Sequence, residues 1–180
     1  QGDPLTGLRE AFTAVLSSPH FLFIVEESPG EDGVRPLTPR QLATRLALFL
    51  WSSLPDATLL EVAGQGGLED EAVLRDQARR MLADDRSRGL AEDFGLQWLD
   101  LRNFTQRVAP DADVFPEFDP ALATDAREEV VRVVHRVFRH DRSLLELIDA
   151  PEAPLTRRLA AHYGLRVPET SGPGAWMDVP

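Results

Sequence analysis

Apolar residues recur along much of the chain at intervals of three and four, the spacing that places them on one face of an α-helix. The longest such run consists of Leu122, Ala126, Val130, Val133, Val134 and Val137. No segment shows the apolar–polar alternation that is typical of a half-buried strand. The pattern therefore predicts an all-α fold, an irregular multi-helix bundle of about eight helices with a long wrapping loop and an irregular C-terminal tail.

Two of the predicted helices begin with clear capping sequences. Thr38 can accept hydrogen bonds from the first turn, Pro39 suits the first helical position, and Gln41 completes a capping box. Asp119 and Pro120 supply an N-cap and a first-turn proline to the long valine-rich helix. These residues favour helix starts at Thr38 and Asp119.

Residues 105–118, with the sequence TQRVAPDADVFPEF, lack any helical or strand period. Loops of this length without secondary structure are often functional or are packed against the core. We expect Phe115 and Phe118 to anchor the loop to the helices.

The apolar pattern breaks sharply in FLWSSLPDATLL, which begins at Phe49. A DNA-reading helix-turn-helix would need Lys or Arg on the second helix, but that helix carries Asp56 and Glu61 and no base. We therefore predict a corner between two core helices. Trp51 lies off the apolar stripe of its own helix, so it is either a second-layer core residue or a contact to a partner.

A central helix is predicted over roughly Arg86–Leu101, because Leu90, Phe94 and Trp98 recur at helical spacing. Gln97 lies beside Trp98 on the same apolar face. A buried amide must have its donors and acceptors satisfied. We therefore expect Gln97 to bind loop backbone within 105–118, with a ligand contact as the alternative.

Composition and charge narrow the class of protein. The 180 residues suit one domain, or one domain with an extension, and a chain of this length needs no disulfide or metal to fold. The absence of cysteine excludes disulfides, thiolate metal sites and covalent c-type haem attachment within this segment. The net charge of −11 argues against nucleic-acid binding. No apolar run reaches the ~18 residues of a membrane span.

Candidate chemistry is sparse. The chain contains no nucleophile-elbow, phosphate-loop or dinucleotide-binding motif. None of the histidines has a helical metal-binding partner, and we expect His135 on a solvated flank and His140 at the favourable end of a helix dipole. We therefore predict no catalytic, cofactor-binding or metal residue in this segment. The candidate interaction or buried polar residues are Trp51, Gln97, Trp98 and Trp176.

Several motifs, taken in order, resemble a known family. They are LATRLALFLWSSLPDATLLEVA, RRMLADDRSRGLAEDFGLQWLDL, FPEFDPAL, DRSLLELIDA and RLAAHYG. The resemblance is to a domain-of-unknown-function family, number 1592, abundant in planctomycetes and found in large exported proteins that usually also carry a c-type cytochrome domain. It implies a helical fold, a periplasmic or cell-surface location, and a fragment of a larger multidomain protein. It supplies no reaction.

The resemblance also suggests a division of the chain. Residues 1–36 are similar to the end of the domain that usually precedes this family, 37–164 form the helical core domain, and 165–180 form an irregular tail. We expect a helical scaffold or interaction domain whose partners are neighbouring domains of the same protein or another protein. Any haem would lie in other domains. The alternative is part of a redox or hydrolytic enzyme whose active site is completed by other domains.

Overall fold

Helices dominate the computed structural model, which describes residues 3–24, 36–107, 110–111, 113–167, 172 and 174–180. The helices are α1 (Pro4–Leu16), α2 (Pro19–Leu22), α3 (Pro39–Trp51), α4 (Ala57–Gly64), α5 (Glu71–Ala83), α6 (Arg88–Leu90), α7 (Leu96–Trp98), α8 (Phe104–Arg107), α9 (Pro120–Arg139) and α10 (Arg157–His162). A π-helical turn, Ala91–Gly95, joins α6 to α7. Short 3₁₀ turns occupy Gly67–Glu69, Asp85–Ser87 and Leu144–Leu147. The all-α prediction is confirmed.

The predicted caps form as hydrogen-bonded structures. The Thr38 hydroxyl accepts a hydrogen bond from the backbone N–H of Gln41 at 3.3 Å. In return, the Gln41 side-chain oxygen accepts from the backbone N–H of Thr38 at 2.9 Å. The Asp119 carboxylate accepts from the Leu122 backbone N–H at 2.7 Å and begins α9. A cap of this kind contributes about 1 kcal/mol to helix stability.

Three clusters of buried side chains form the core. The first joins α3, α4 and α5, the second joins the α6–α7 segment to α9, and the third joins α9 to α10 and its preceding strand. The long helix α9 contributes to the second and third clusters and therefore connects the two ends of the domain. By contrast, none of the residues of α1 is buried.

The tail contains a strand that the apolar pattern does not predict. Strand β2 (Trp176–Val179) pairs antiparallel with β1 (Ala153–Thr156), with Thr156 opposite Trp176. The prediction of an irregular tail is therefore wrong over 176–179. A four-residue strand offers too short an alternation to detect, and its stability depends on a partner about twenty residues earlier in the chain. Residues 168–171 and 173 of the predicted tail lie outside the described residues.

The buried face of the predicted central helix also differs from the predicted one. Leu90, Ala91, Gly95 and Leu96 are buried, whereas Phe94 and Trp98 are 42% and 61% exposed. In a π-helical turn the hydrogen bonds run over five residues rather than four, so residues five apart share a face. Gly95 permits the close approach of this segment to α9, since a Cβ at Gly95 would lie 3.1 Å from Cγ1 of Val134.

The predicted long loop is shorter in the structure. It contains α8 and a turn region, and Phe118 packs against the third core cluster as expected. Phe115 is 48% exposed and is not among the residues that pack against the three core clusters. Residues 108, 109 and 112 lie outside the described part of the chain. No helix in the described ranges combines the length and apolarity needed to cross a lipid bilayer.

Candidate functional site

Trp51 belongs to the core. It is 3% exposed, and its indole N–H donates to the carbonyl oxygen of Met81 at 2.8 Å. The guanidinium of Arg86 lies over the ring at 3.5 Å from the ring centroid, close enough for a cation–π interaction. Of the two roles predicted for Trp51, the structure supports the core residue and not the partner contact.

A network of ion pairs closes over Trp51. Arg80 donates to both carboxylate oxygens of Asp56 at 2.8 and 3.1 Å, and Arg86 binds Asp84 at 2.8 Å. The hydrogen bond from Arg86 lowers the pKa of Asp84 from 3.8 to about 2. Asp56 also caps α4, because its carboxylate accepts from the Leu59 backbone N–H at 2.9 Å. This Trp51 corner is a structural joint between α3, α4 and α5.

An aromatic ladder, defined as Phe49, Phe94 and Trp98, joins α3, the π-helical turn and α7 through ring contacts. Phe49 and Phe94 meet edge to face with ring centroids 6.1 Å apart, and Phe94 stacks on Trp98 at 6.2 Å and an interplanar angle of 8°. All three rings are exposed. Phe94 contacts the other two rings in the geometries favoured by aromatic pairs.

Gln97 does not make the predicted contact. Its side chain is exposed, so the expectation of a buried amide bound to loop backbone is wrong. The reason is the π-turn, which rotates the α7 face and directs residues 97 and 98 toward solvent. Gln97 lies beside the aromatic ladder on the surface.

A cavity of about 420 Å³ opens next to Trp98. Its lining residues are Trp98, Leu99, Glu129, Val130, Val133, Val134, Leu147, Ile148 and Tyr163. The Tyr163 hydroxyl donates to Oε2 of Glu129 at 2.8 Å. Burial raises the pKa of Glu129, and burial together with the Glu129 carboxylate raises the pKa of Tyr163. Sequence reasoning missed both of these residues.

Trp176 is half-buried on β2 and is held within the domain. The Arg132 guanidinium lies over its ring at 4.4 Å from the ring centroid, and Arg136 binds Asp178 at 2.9 Å. Trp176 therefore joins the tail to α9. The arginines of α9 and α6 line a cleft of about 240 Å³, but their charges are already satisfied by acidic partners within the domain.

His135 lines the same cleft and is half-buried, contrary to the predicted solvated position. Its Nε2 lies 3.0 Å from the Ser87 hydroxyl, and burial together with nearby Arg139 and Arg88 lowers its pKa. Among the residues described by the structure, no three His, Asp or Glu side chains gather closely enough to hold a metal ion. The alternative of an enzyme fragment predicts a pocket that gathers polar side chains, for example Gln97, a histidine and several carboxylates. The cavity beside Trp98 contains Glu129 but neither Gln97 nor a histidine among its lining residues, whereas the cleft contains His135, His140 and Asp178.

Comparison with protein families identifies a matching family model. The model of the PSD4 family, described as "Protein of unknown function (DUF1592)", matches residues 37–165. Comparisons with curated proteins and with solved structures find no match. The matched range contains the Trp51 corner, the aromatic ladder and the cavity.

Proposed function

We propose that this chain, which belongs to the PSD4 family of proteins of unknown function (DUF1592), is a helical interaction domain that docks a protein partner through the aromatic ladder. The observation that carries the proposal is the ladder itself, three exposed rings joined by two ring contacts, Phe49 with Phe94 and Phe94 with Trp98. Aromatic residues are enriched in the centres of protein interfaces. A contiguous exposed apolar patch of this kind often marks an interaction site.

The partner we propose is a neighbouring domain of the same polypeptide. Helix α1 supports this choice, since it carries a second apolar surface whose residues are each more than half exposed: Leu5, Leu8, Phe12, Val15 and Leu16. An amphipathic helix is stabilised mainly by burial of its apolar face. Two uncovered apolar surfaces on one chain are accounted for if other domains of the protein cover them.

The experiment compares the ladder in two settings. Hydroxyl-radical footprinting would measure side-chain oxidation of Phe49, Phe94 and Trp98 in the isolated chain and in the full-length gene product. We expect several-fold protection of the three rings in the full-length protein. Phe115, which is exposed to a similar degree outside the ladder, serves as the reference side chain. Equal oxidation of the ladder in both settings would show that no neighbouring domain covers it.

The setting we propose is an exported, multidomain protein with a c-type cytochrome domain elsewhere in the sequence. The family resemblance of the motifs supports this context, and the lack of cysteine places covalent c-type haem attachment outside the present segment. The test measures the haem absorbance spectrum and the electron-transfer rate of two proteins. They are the full-length gene product and a variant lacking residues 37–164. An interaction domain predicts a haem spectrum in both proteins and an unchanged electron-transfer rate. Full-length protein without haem would overturn the cytochrome link.

A further inference from the structure

The cavity beside Trp98 has a specific chemical character. Most of its wall is apolar, including Trp98, Leu99 and Ile148, and Glu129 is the one acidic residue among its lining side chains. Its volume of about 420 Å³ falls in the range of small-molecule sites, which are mostly apolar with a few placed polar groups. The cavity can therefore hold a small apolar body next to a single carboxylate.

Glu129 differs from its neighbour in how its charge is balanced. Glu128 receives hydrogen bonds from Arg88 at 2.6 and 3.1 Å and from Arg132 at 2.8 Å. Within the described residues, Glu129 has no ion pair, and its partner is the neutral hydroxyl of Tyr163 on one oxygen. A carboxylate has about four acceptor positions. A half-buried carboxylate without a cation is unfavourable, and a bound cation would relieve that cost.

We propose that this cavity binds an organic ammonium ion, with its apolar body against Trp98, Leu99 and Ile148 and its N–H groups donating to Glu129. Trp98 and Tyr163 also line the cavity, and aromatic rings attract cations. An anion would be repelled by Glu129, and a neutral ligand would leave the charge unpaired. The inference shares Trp98 with the proposed docking surface, but its probes are titrated into the isolated chain, so its outcome does not depend on whether the ladder docks a protein.

Three probes with one apolar body isolate the role of charge. Isothermal titration calorimetry at pH 7 would compare 2-phenylethylamine, 2-phenylethanol and phenylacetate as a cation, a neutral molecule and an anion. We expect the amine to bind about tenfold more tightly than the alcohol, since a charge-assisted hydrogen bond is about twice as strong as a neutral one. Phenylacetate should bind most weakly. Equal affinity for amine and alcohol, or no binding of the amine, would overturn the proposal.

Two substitutions test whether Glu129 causes the preference for the amine over the alcohol. The Glu129→Gln variant should bind the amine and the alcohol equally, while Glu61→Gln, which removes the same charge from an exposed position of α4, should keep the tenfold preference. A preference that survives Glu129→Gln would assign the effect to general electrostatics and not to this site. Tyr163→Phe removes the hydrogen bond that Glu129 receives from the tyrosine hydroxyl, so the preference for the amine should widen beyond tenfold, and an unchanged or smaller preference would count against Glu129. This third variant tests the site again if Glu129→Gln folds poorly.

The ammonium group could belong to a free amine or to a lysine side chain of a docked protein. Titration with the peptide acetyl-Leu-Lys-Leu-amide separates these sources when the displacement of the Trp98 indole N–H resonance is followed by NMR. Tighter binding of the peptide than of 2-phenylethylamine supports a lysine, and tighter binding of the amine supports a small molecule. If neither probe shifts this resonance, the cavity does not recognise ammonium ions.

Discussion

Two tryptophans end helices of the same core and have opposite environments. Trp51 closes α3 and is 3% exposed, whereas Trp98 closes α7 and is 61% exposed. The indole N–H of Trp51 is bound to backbone, and its ring is covered by Arg86. Trp98 stacks on Phe94 and lines an open cavity. The comparison separates a residue that holds the fold from one that is available for binding.

The difference arises from the local backbone and not from the residue type. At the Trp51 corner, Ser52 adopts a left-handed conformation with φ of 51°, which ends α3 and allows α4 to fold back beside it. At Trp98, the π-turn shifts the helical face by about one residue, so the aromatic positions turn outward. Trp98 gains an exposed face because Leu90, Ala91, Gly95 and Leu96 occupy the buried one.

The largest effect is expected at Trp51. Replacement of Trp51 with alanine should lower the free energy of unfolding by about 3–5 kcal/mol, because it leaves a core cavity and removes the bond to Met81. Chemical denaturation followed by circular dichroism would measure this loss. Trp51→Phe retains a ring and should cost less. A loss below about 1 kcal/mol for Trp51→Ala would show that the ring is not a core residue.

A smaller loss is expected at Gly89, where α6 approaches the end of α3. A Cβ at this position would lie 2.7 Å from the carbonyl oxygen of Trp51, so Gly89→Ala must displace backbone. We expect a destabilisation of about 1–3 kcal/mol despite the better helix propensity of alanine. Gly64→Ala is the matched control, since its Cβ would meet open space at the end of α4. Equal melting temperatures of the two variants would contradict the close approach.

Acid should weaken the Trp51 corner by a moderate amount. The folded pKa of Asp84 is about 2, below its usual value of 3.8, so its stabilising contribution is present above pH 3.8 and is lost as the pH falls toward 2. The melting temperature of the native protein should fall as the pH decreases through that window. Asp84→Asn should make this dependence of melting temperature on pH less steep. Asp76→Asn, an exposed position of α5 outside the corner, should leave the slope unchanged. If the melting temperature depends on pH equally in Asp84→Asn and in the native chain, Asp84 does not cause the loss of stability in acid.

Local features of the fold could be predicted from the sequence. The capping box at Thr38 and Gln41 and the Asp119 cap involve residues within one helical turn, so their spacing contains the needed information. The length of α9 follows from its own apolar repeat. Such elements need no knowledge of the distant chain.

Features that depend on distant contacts could not be predicted in this way. The Tyr163–Glu129 hydrogen bond joins residues 34 positions apart. Glu129 lies on α9 next to residues whose spacing predicts a buried face. The π-turn is favoured by the close packing of Gly95 on Val134, which a helical projection does not contain. The same holds for the pairing of β1 with β2. A helical projection therefore places Gln97 and Trp98 on the buried face, whereas both are exposed.

The smallest effect on stability is expected at Trp98. Its ring is largely exposed and rests mainly on Phe94, so Trp98→Ala should change the free energy of unfolding by no more than about 0.5 kcal/mol. The same denaturation experiment used for Trp51→Ala would measure it. A loss above 1.5 kcal/mol would place Trp98 among the residues that hold the fold and would remove the contrast with Trp51. A near-zero loss combined with weaker ladder protection in the full-length protein would assign Trp98 to binding, because a residue that costs nothing to remove from the folded chain then contributes only when a partner covers it.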